Sequence, residues 1–219
     1  MNPTEIEQAR FNMIEQQVRT WDVLDQQVLD TMNGIPREAF VPARYASLAF
    51  ADTNIPLGQG QVMMAPKVEG RLLQALAIEP SDTVLEVGTG SGYLTACLAQ
   101  LARHVTSLDI RPEFVDSATA RLAEHEFVNV HVRADDALVH AGTDRYNAIA
   151  VTGSLPVLQQ QFRNNLEIGG RMFVITGELP IMEACLVTRV DDRNWSTESL
   201  FETCIPPLDN AGVPQEFEF

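Results

Sequence analysis

Cysteine is scarce in this chain. Cys97, Cys185 and Cys204 are the three among 219 residues, an odd number, widely separated and never in a CxxC pair. That argues against a disulfide framework or a cysteine zinc site and fits a reducing compartment, with the cytoplasm the simplest location. Positive charge is also short: 15 Lys and Arg face 30 Asp and Glu, a formal net charge of −15. A surface this acidic repels phosphate backbones and anionic lipid, so neither nucleic acid nor a membrane is expected as a partner. A run of about 18 apolar residues, long enough to cross a bilayer, is missing. The opening MNPTEIEQARF has neither the basic nor the apolar stretch of a secretory signal. His104, His125, His131 and His140 are scattered outside every motif described below. They read as structural or surface residues, leaving no obvious general base and no metal set.

What remains is an ordinary globular balance of 45% hydrophobic and 21% charged residues, enough chain for a single α/β domain over residues 1–219. Residues 4–33 read as helical from the spacing of Ile6, Phe11, Ile14 and Val18, then Val23, Leu24, Val28 and Leu29. Pro36 and Pro42 end that pattern. Residues 36–65, punctuated by Pro56, Gly58 and Gly60, read as a long irregular segment, of a kind that is often functional. Pro66 suits the first turn of a helix running to about Ala77. The expected division is therefore an N-terminal helical and loop extension over 1–65 and an α/β core over 66–219.

In the core, strand candidates at 83–87, 104–109, 128–133, 146–152 and 171–176 alternate with helices at about 92–103, 112–125 and 156–167. Such alternation implies a mainly parallel sheet with helices on both faces. Two further candidates, 184–190 and 198–204, read as an antiparallel hairpin at the sheet edge, which makes seven strands.

The sharpest local signal is Val84-Leu85-Glu86-Val87-Gly88-Thr89-Gly90-Ser91-Gly92-Tyr93, an apolar strand running through three alternate glycines into a helix. Glycine permits the sharp turn and lets a ligand approach the backbone, and the helix start supplies free N–H groups for an anion. A dinucleotide fingerprint is G-x-G-x-x-G; here the third glycine comes one residue early, leaving room for the small carboxylate of S-adenosylmethionine rather than a pyrophosphate. Asp109, 21 residues beyond Gly88, closes the next strand and is placed to accept from ribose hydroxyls. Asp135 and Asp136 close the third strand, on the adenine side. Glu86 is an acid inside a core strand, which calls for a partner such as the donor's ammonium. Surface charge at strand ends and a salt bridge at Glu86 are the plainer alternatives.

The glycine turn VLEVGTGSGY, together with PREAFVP, DTNIPLGQGQ and VTGSLP, resembles the protein-L-isoaspartate O-methyltransferases, in order over roughly residues 9–176. The resemblance implies a Rossmann-like class I methyltransferase fold, S-adenosylmethionine as methyl donor, and methylation of isoaspartyl residues in damaged proteins or peptides. By it, Glu86, Gly88, Thr89, Gly90, Ser91, Gly92, Asp109 and Ile110 fall on donor-binding positions. Asp135 and Asp136 fall on the adenine side, and Thr152 starts the loop after the fourth strand. Ile55, Pro56, Leu57, Gly58 and Val62 fall on the segment lining the acceptor pocket, and Asp52, Gln61 and Met64 on positions next to the reacting groups.

The chain departs from the family pattern at two places. Gln61-Val62-Met63-Met64-Ala65-Pro66 stands where the family carries a Thr-Ile-Ser-like stretch, so Val62 and Met64 replace two hydroxyls. Ala134-Asp135-Asp136 replaces a Gly-Asp-Gly turn. A carboxylate acceptor is ionised at neutral pH and needs no base, so its catalysis rests on desolvation and alignment. Gln59 and Gln61 are placed to donate to it. Three readings stay open beside this one: a methyltransferase with a different acceptor, a nucleoside-binding module without transfer, and a nicotinamide oxidoreductase. The oligomeric state and the role of the C-terminal LDNAGVPQEFEF are not legible in the sequence.

Overall fold

A computed structural model of the protein describes residues 2–139 and 143–212; His140 and the segment 213–219 lie outside the described residues. Helix α1 (Pro3–Met13) starts on a reciprocal cap in which Asn2 and Glu5 each accept the other's backbone N–H at 2.9 Å. A π turn (Ile14–Val18) and a 3-10 turn (Arg19–Trp21) carry it to Asp22, whose φ of 59° ends the run. Asp25 then caps α2 (Gln26–Gly34). The helical stretch expected over 4–33 is thus two helices with a bend between them.

Residues 36–65 are more ordered than their composition suggests. They hold α3 (Arg37–Phe40), a 3-10 segment (Ala43–Leu48) and an antiparallel hairpin of β1 (Ile55–Gly58) and β2 (Gln61–Met63). Gln59 and Gly60 form its two-residue turn with φ of 54° and 76°, the backbone twist that closes tight hairpins. The strands are too short for an alternation to be read from the sequence. Helix α4 (Pro66–Leu76) follows, with proline in its first turn and Ala77 left-handed at its end.

The core then runs β3 (Thr83–Val87), α5 (Tyr93–Leu101), β4 (His104–Asp109), α6 (Pro112–Glu124), β5 (Val130–Ala134), β6 (Tyr146–Leu155), α7 (Gln160–Asn164), β7 (Leu166–Glu178), β8 (Ile181–Arg189) and β9 (Trp195–Thr203). The sheet order is β5-β4-β3-β6-β7-β8-β9, parallel from β5 to β7 and antiparallel beyond. Several boundaries differ from the sequence reading, most of all around β6 and β7, where the strand expected over 171–176 runs Leu166–Glu178. Thr152 lies inside β6 rather than opening a loop, and the helix expected to reach 167 stops at Asn164. The cause is tertiary: Tyr146 pairs with Leu166, and Ser154 and Leu155 with Ile175 and Thr176, so the β6–β7 ladder captures both ends.

Side chains of β3 alternate between two apolar layers. Val84 joins the layer made with the N-terminal helices, α4 and α5, whereas Leu85 and Val87 join the layer with Phe162 of α7. Glu86 therefore points into the α4–α5 side of the sheet, where it is fully buried. Chain order reverses about β3, with β4 on one side and β6 on the other, so a crevice opens beyond their carboxyl ends. Among the described residues, no helix is long and apolar enough to cross a membrane.

Candidate active site

The crevice is built on the turn after β3. Gly88, Gly90 and Gly92 have φ of 97°, 52° and 85°, values that side-chain-bearing residues rarely adopt. Gly88 is also sterically reserved: a Cβ there would lie 2.3 Å from Thr152 Oγ1. That hydroxyl donates to the carbonyls of Gly88 at 2.7 Å and Val87 at 3.0 Å, clamping the turn to β6. Asp109 fixes the other side. One carboxylate oxygen accepts from Gly90 N–H at 2.9 Å and the other from Arg111 N–H at 3.0 Å. Burial holds the Asp109 carboxyl above its usual range, against the pull of those two amides.

Two cavities that share lining residues flank the turn. The larger, about 590 Å³ with its open mouth, lies over the ends of β3, β4, β5 and β6. Among the residues singled out in the sequence, its lining takes Leu57, Gln61, Val62, Asp109, Ile110, Asp135 and Asp136. The smaller, about 290 Å³, takes Met64, Glu86, Thr89 and Ser91. Val62, Gly88, Gly90 and Thr152 border both.

Glu86 is the electrostatic centre of the smaller cavity. Its Oε2 accepts from Thr95 and Ser107 hydroxyls, each at 2.5 Å, and Ser107 Oγ is 2.6 Å from Thr89 Oγ1. Its Oε1 is buried with no hydrogen-bond partner among the described residues. Burial pushes the Glu86 carboxyl up to about 8, although the Ser107 and Thr95 bonds pull it down. Leaving such an atom unpaired costs about 1–3 kcal/mol or more, so a cationic donor entering the cavity gains what the protein has left unmade.

Other expected residues sit elsewhere. Asp52 lines neither cavity; it is paired with Lys67 at 2.8 Å, whose ammonium lies 4.5 Å above the Trp21 ring. Ile55 is fully buried beneath the hairpin. Pro56 and Gly58 shape the hairpin without lining a cavity, and Gly92 turns the backbone against Ala118. The Gln61 amide reaches the Pro207 carbonyl at 3.4 Å, and the Gln59 amide donates to Glu113 at 2.9 Å.

The sequence reading missed contributors from three stretches of chain. Arg111 and Phe114 follow β4 and line the larger cavity. Glu69 of α4 lines the smaller one. The C-terminal segment supplies Leu208 and Asp209, held there because Ser154 bridges to Pro207 and accepts from Leu208 N–H at 3.0 Å. Asn210 then donates to Asp136 at 2.8 Å. Nothing local in the sequence marks that segment as part of the site, because its contact with β6 spans some fifty residues of chain.

An open, mainly parallel sheet with a clamped glycine turn at its switch point, acids at successive strand ends and an N-terminal helical layer has the architecture of a Rossmann-like methyltransferase fold. A Plasmodium falciparum protein assigned as a protein-L-isoaspartate O-methyltransferase, crystallised with S-adenosyl-L-homocysteine, superposes with a TM-score of 0.80 at 18% identity, covering 91% of this chain and 97% of that one. The protein-L-isoaspartate O-methyltransferase of Rhodopseudomonas palustris is 34% identical over 198 residues, 90% of this chain and 91% of the relative. The one from Methanoculleus marisnigri is 33% identical over 200 residues, 91% and 90% of the two chains. The model of the protein-L-isoaspartate(D-aspartate) O-methyltransferase family matches residues 8–208, and the chain belongs to that family.

Proposed function

We propose that the protein is an S-adenosylmethionine-dependent carboxyl methyltransferase acting on isoaspartyl residues of damaged proteins or peptides in the cytoplasm. The observation that carries the donor assignment is Glu86 Oε1, a buried carboxylate oxygen without a partner in the cavity beside the glycine turn. It fits the ammonium of the donor's amino-acid end, and the start of α5 fits the donor's carboxylate. Asp109 keeps lone pairs for ribose hydroxyls after accepting two amides, and Asp135 and Asp136 border the same cleft for the adenine. Bound there, S-adenosylmethionine supplies a methyl group activated by its sulfonium.

The chain's own part is binding, alignment and exclusion of water. The acceptor approaches along β2 and the residue after it, where Val62 borders both cavities and Met63 and Met64 continue an apolar wall along the smaller one. An apolar wall strips water from an acceptor carboxylate, which is already ionised and needs no base. In this reading residues 1–65 are the acceptor-facing extension and 66–219 hold the donor, within one domain. The deciding experiment measures transfer of labelled methyl to an isoaspartyl peptide and to its aspartyl twin. Base-labile label on the isoaspartyl peptide alone is expected. Tight donor binding with label on neither peptide would remove the acceptor assignment.

One observation favours a second reading, the same donor with another acceptor. The wall at 62–64 has no side-chain hydroxyl to orient a carboxylate. Hydrogen bonds to a charged group contribute about 1.5–3 kcal/mol each, enough to move acceptor preference by one to two powers of ten.

A further inference from the structure

One buried acid beside the donor site has no part in the binding scheme so far. Glu69, in the first turn of α4, is 2% exposed and borders the smaller cavity together with Glu86, Met64 and Ser91. Its partner Arg37, from α3, is fully buried. Arg37 Nη1 engages Glu69 Oε2, Nε donates to the Ala49 carbonyl at 2.9 Å, and Nη2 donates to the Met64 carbonyl at 2.7 Å. The guanidinium also sits 4.8 Å from the centre of the Tyr93 ring. Four neighbours thus hold it in place, and it does not border the cavity. Above about pH 7, where the Glu69 carboxyl is ionised, the cavity is bordered by the negative end of a fixed ion pair.

A buried ion pair is a poor device for stability alone, since apolar residues of similar volume often serve as well or better. Its place beside the donor site has a chemical use. Methyl transfer breaks the carbon–sulfur bond, the bonding electrons stay on sulfur, and a positive sulfonium becomes a neutral thioether. We infer that Glu69, backed by Arg37, is a specificity-determining residue that favours the charged donor over the spent one, limiting occupation of the site by product. The inference rests on the donor assignment made above. Glu69 lines the smaller cavity together with Gly88, Gly90 and Thr152, which also border the larger one, so a sulfonium held between the ammonium and ribose sites lies in the field of this carboxylate.

The test is calorimetric titration of the full chain with S-adenosylmethionine and, separately, S-adenosylhomocysteine. Glu69→Gln removes the carboxylate and leaves Arg37 positive. The ratio of product affinity to donor affinity is expected to rise about tenfold, which is about 1.4 kcal/mol. Glu69→Asp is expected to keep most of the wild-type ratio. A purely structural role weakens both ligands alike, so an unchanged ratio with weakened binding overturns the inference. If Glu69→Gln does not fold, the neutral pair Arg37→Met with Glu69→Met replaces it, and a wild-type ratio there overturns the inference equally. Failure of wild-type protein to bind either ligand overturns the donor assignment itself, a result distinct from an unchanged ratio.

Discussion

Arg111 and Asp209 meet across the mouth of the larger cavity, with Nη1 and Oδ2 2.5 Å apart. Arg111 Nη2 also donates to the Gln59 carbonyl at 3.3 Å, so one guanidinium joins the hairpin turn, the end of β4 and the C-terminal segment. Asp209→Ala should speed escape of the donor. The pair is partly exposed, so its worth is discounted to about 0.2–1 kcal/mol, a rise of about 1.4-fold to fivefold in the dissociation rate. Stopped-flow displacement at low and high salt checks this, since the gap between wild type and variant should narrow as salt screens the pair. Identical rates at low salt would show that the segment does not hold the donor.

Glu86 predicts a pH dependence of both stability and binding. Below pH 4.5 or so the carboxyl is protonated in folded and unfolded chains alike. Between there and about 8 the unfolded chain ionises while the folded one does not, so stability falls across that window and levels off above it. Glu69, raised to about 7 by burial despite Arg37, adds to the same slope over a narrower range. Glu86→Gln should flatten the wild-type slope in denaturant titrations between about pH 5 and pH 8. Donor affinity should run the other way, rising toward pH 8 as the carboxylate forms, and Glu86→Gln should lose both the affinity and its pH dependence.

Val62→Thr with Met64→Ser restores hydroxyls to the wall between the cavities. Isoaspartyl turnover should rise about tenfold or more, in line with one hydrogen bond to a charged group. Donor affinity should change much less. Labelled methyl transfer under saturating donor reads the effect, and no gain would mean that orientation comes from elsewhere on the wall.

Gly88→Ala combines a left-handed backbone with a Cβ 2.3 Å from Thr152 Oγ1, so it should destabilise by more than about 2 kcal/mol. Adding Thr152→Ala should recover only the steric part. Gly34→Ala is the control: a Cβ there meets nothing within 4 Å, and the change should be neutral or stabilising by up to about 1 kcal/mol. Thermal unfolding of the three variants against wild type separates crowding from backbone strain.

The local chemistry of the donor side is legible in the residues themselves. Three alternate glycines after an apolar strand require a turn with positive φ, and acids closing successive parallel strands share one sheet edge by topology alone. Gly88, Gly90, Asp109, Asp135 and Asp136 accordingly meet at one cleft. The acceptor side is less legible. Asp52 and Ile55 carry family-like positions, but Asp52, in the bend before the hairpin, pairs with Lys67, and Ile55 lies in the core because a short hairpin sends alternate residues to opposite faces.

By itself the sequence determined the order of the core elements from β3 on, the glycine turn, the strand-end acids and the absence of hydroxyls at Val62 and Met64, since each depends on residue type and near neighbours. Only the tertiary structure decided that Thr152 clamps Gly88, that Arg37 stands behind Glu69, that Asp209 closes on Arg111, and that Glu86 keeps one oxygen unpaired. Those four depend on segments distant in the chain arriving at one place. Spacing along a sequence carries no information about which distant side chain fills the space beside a given atom.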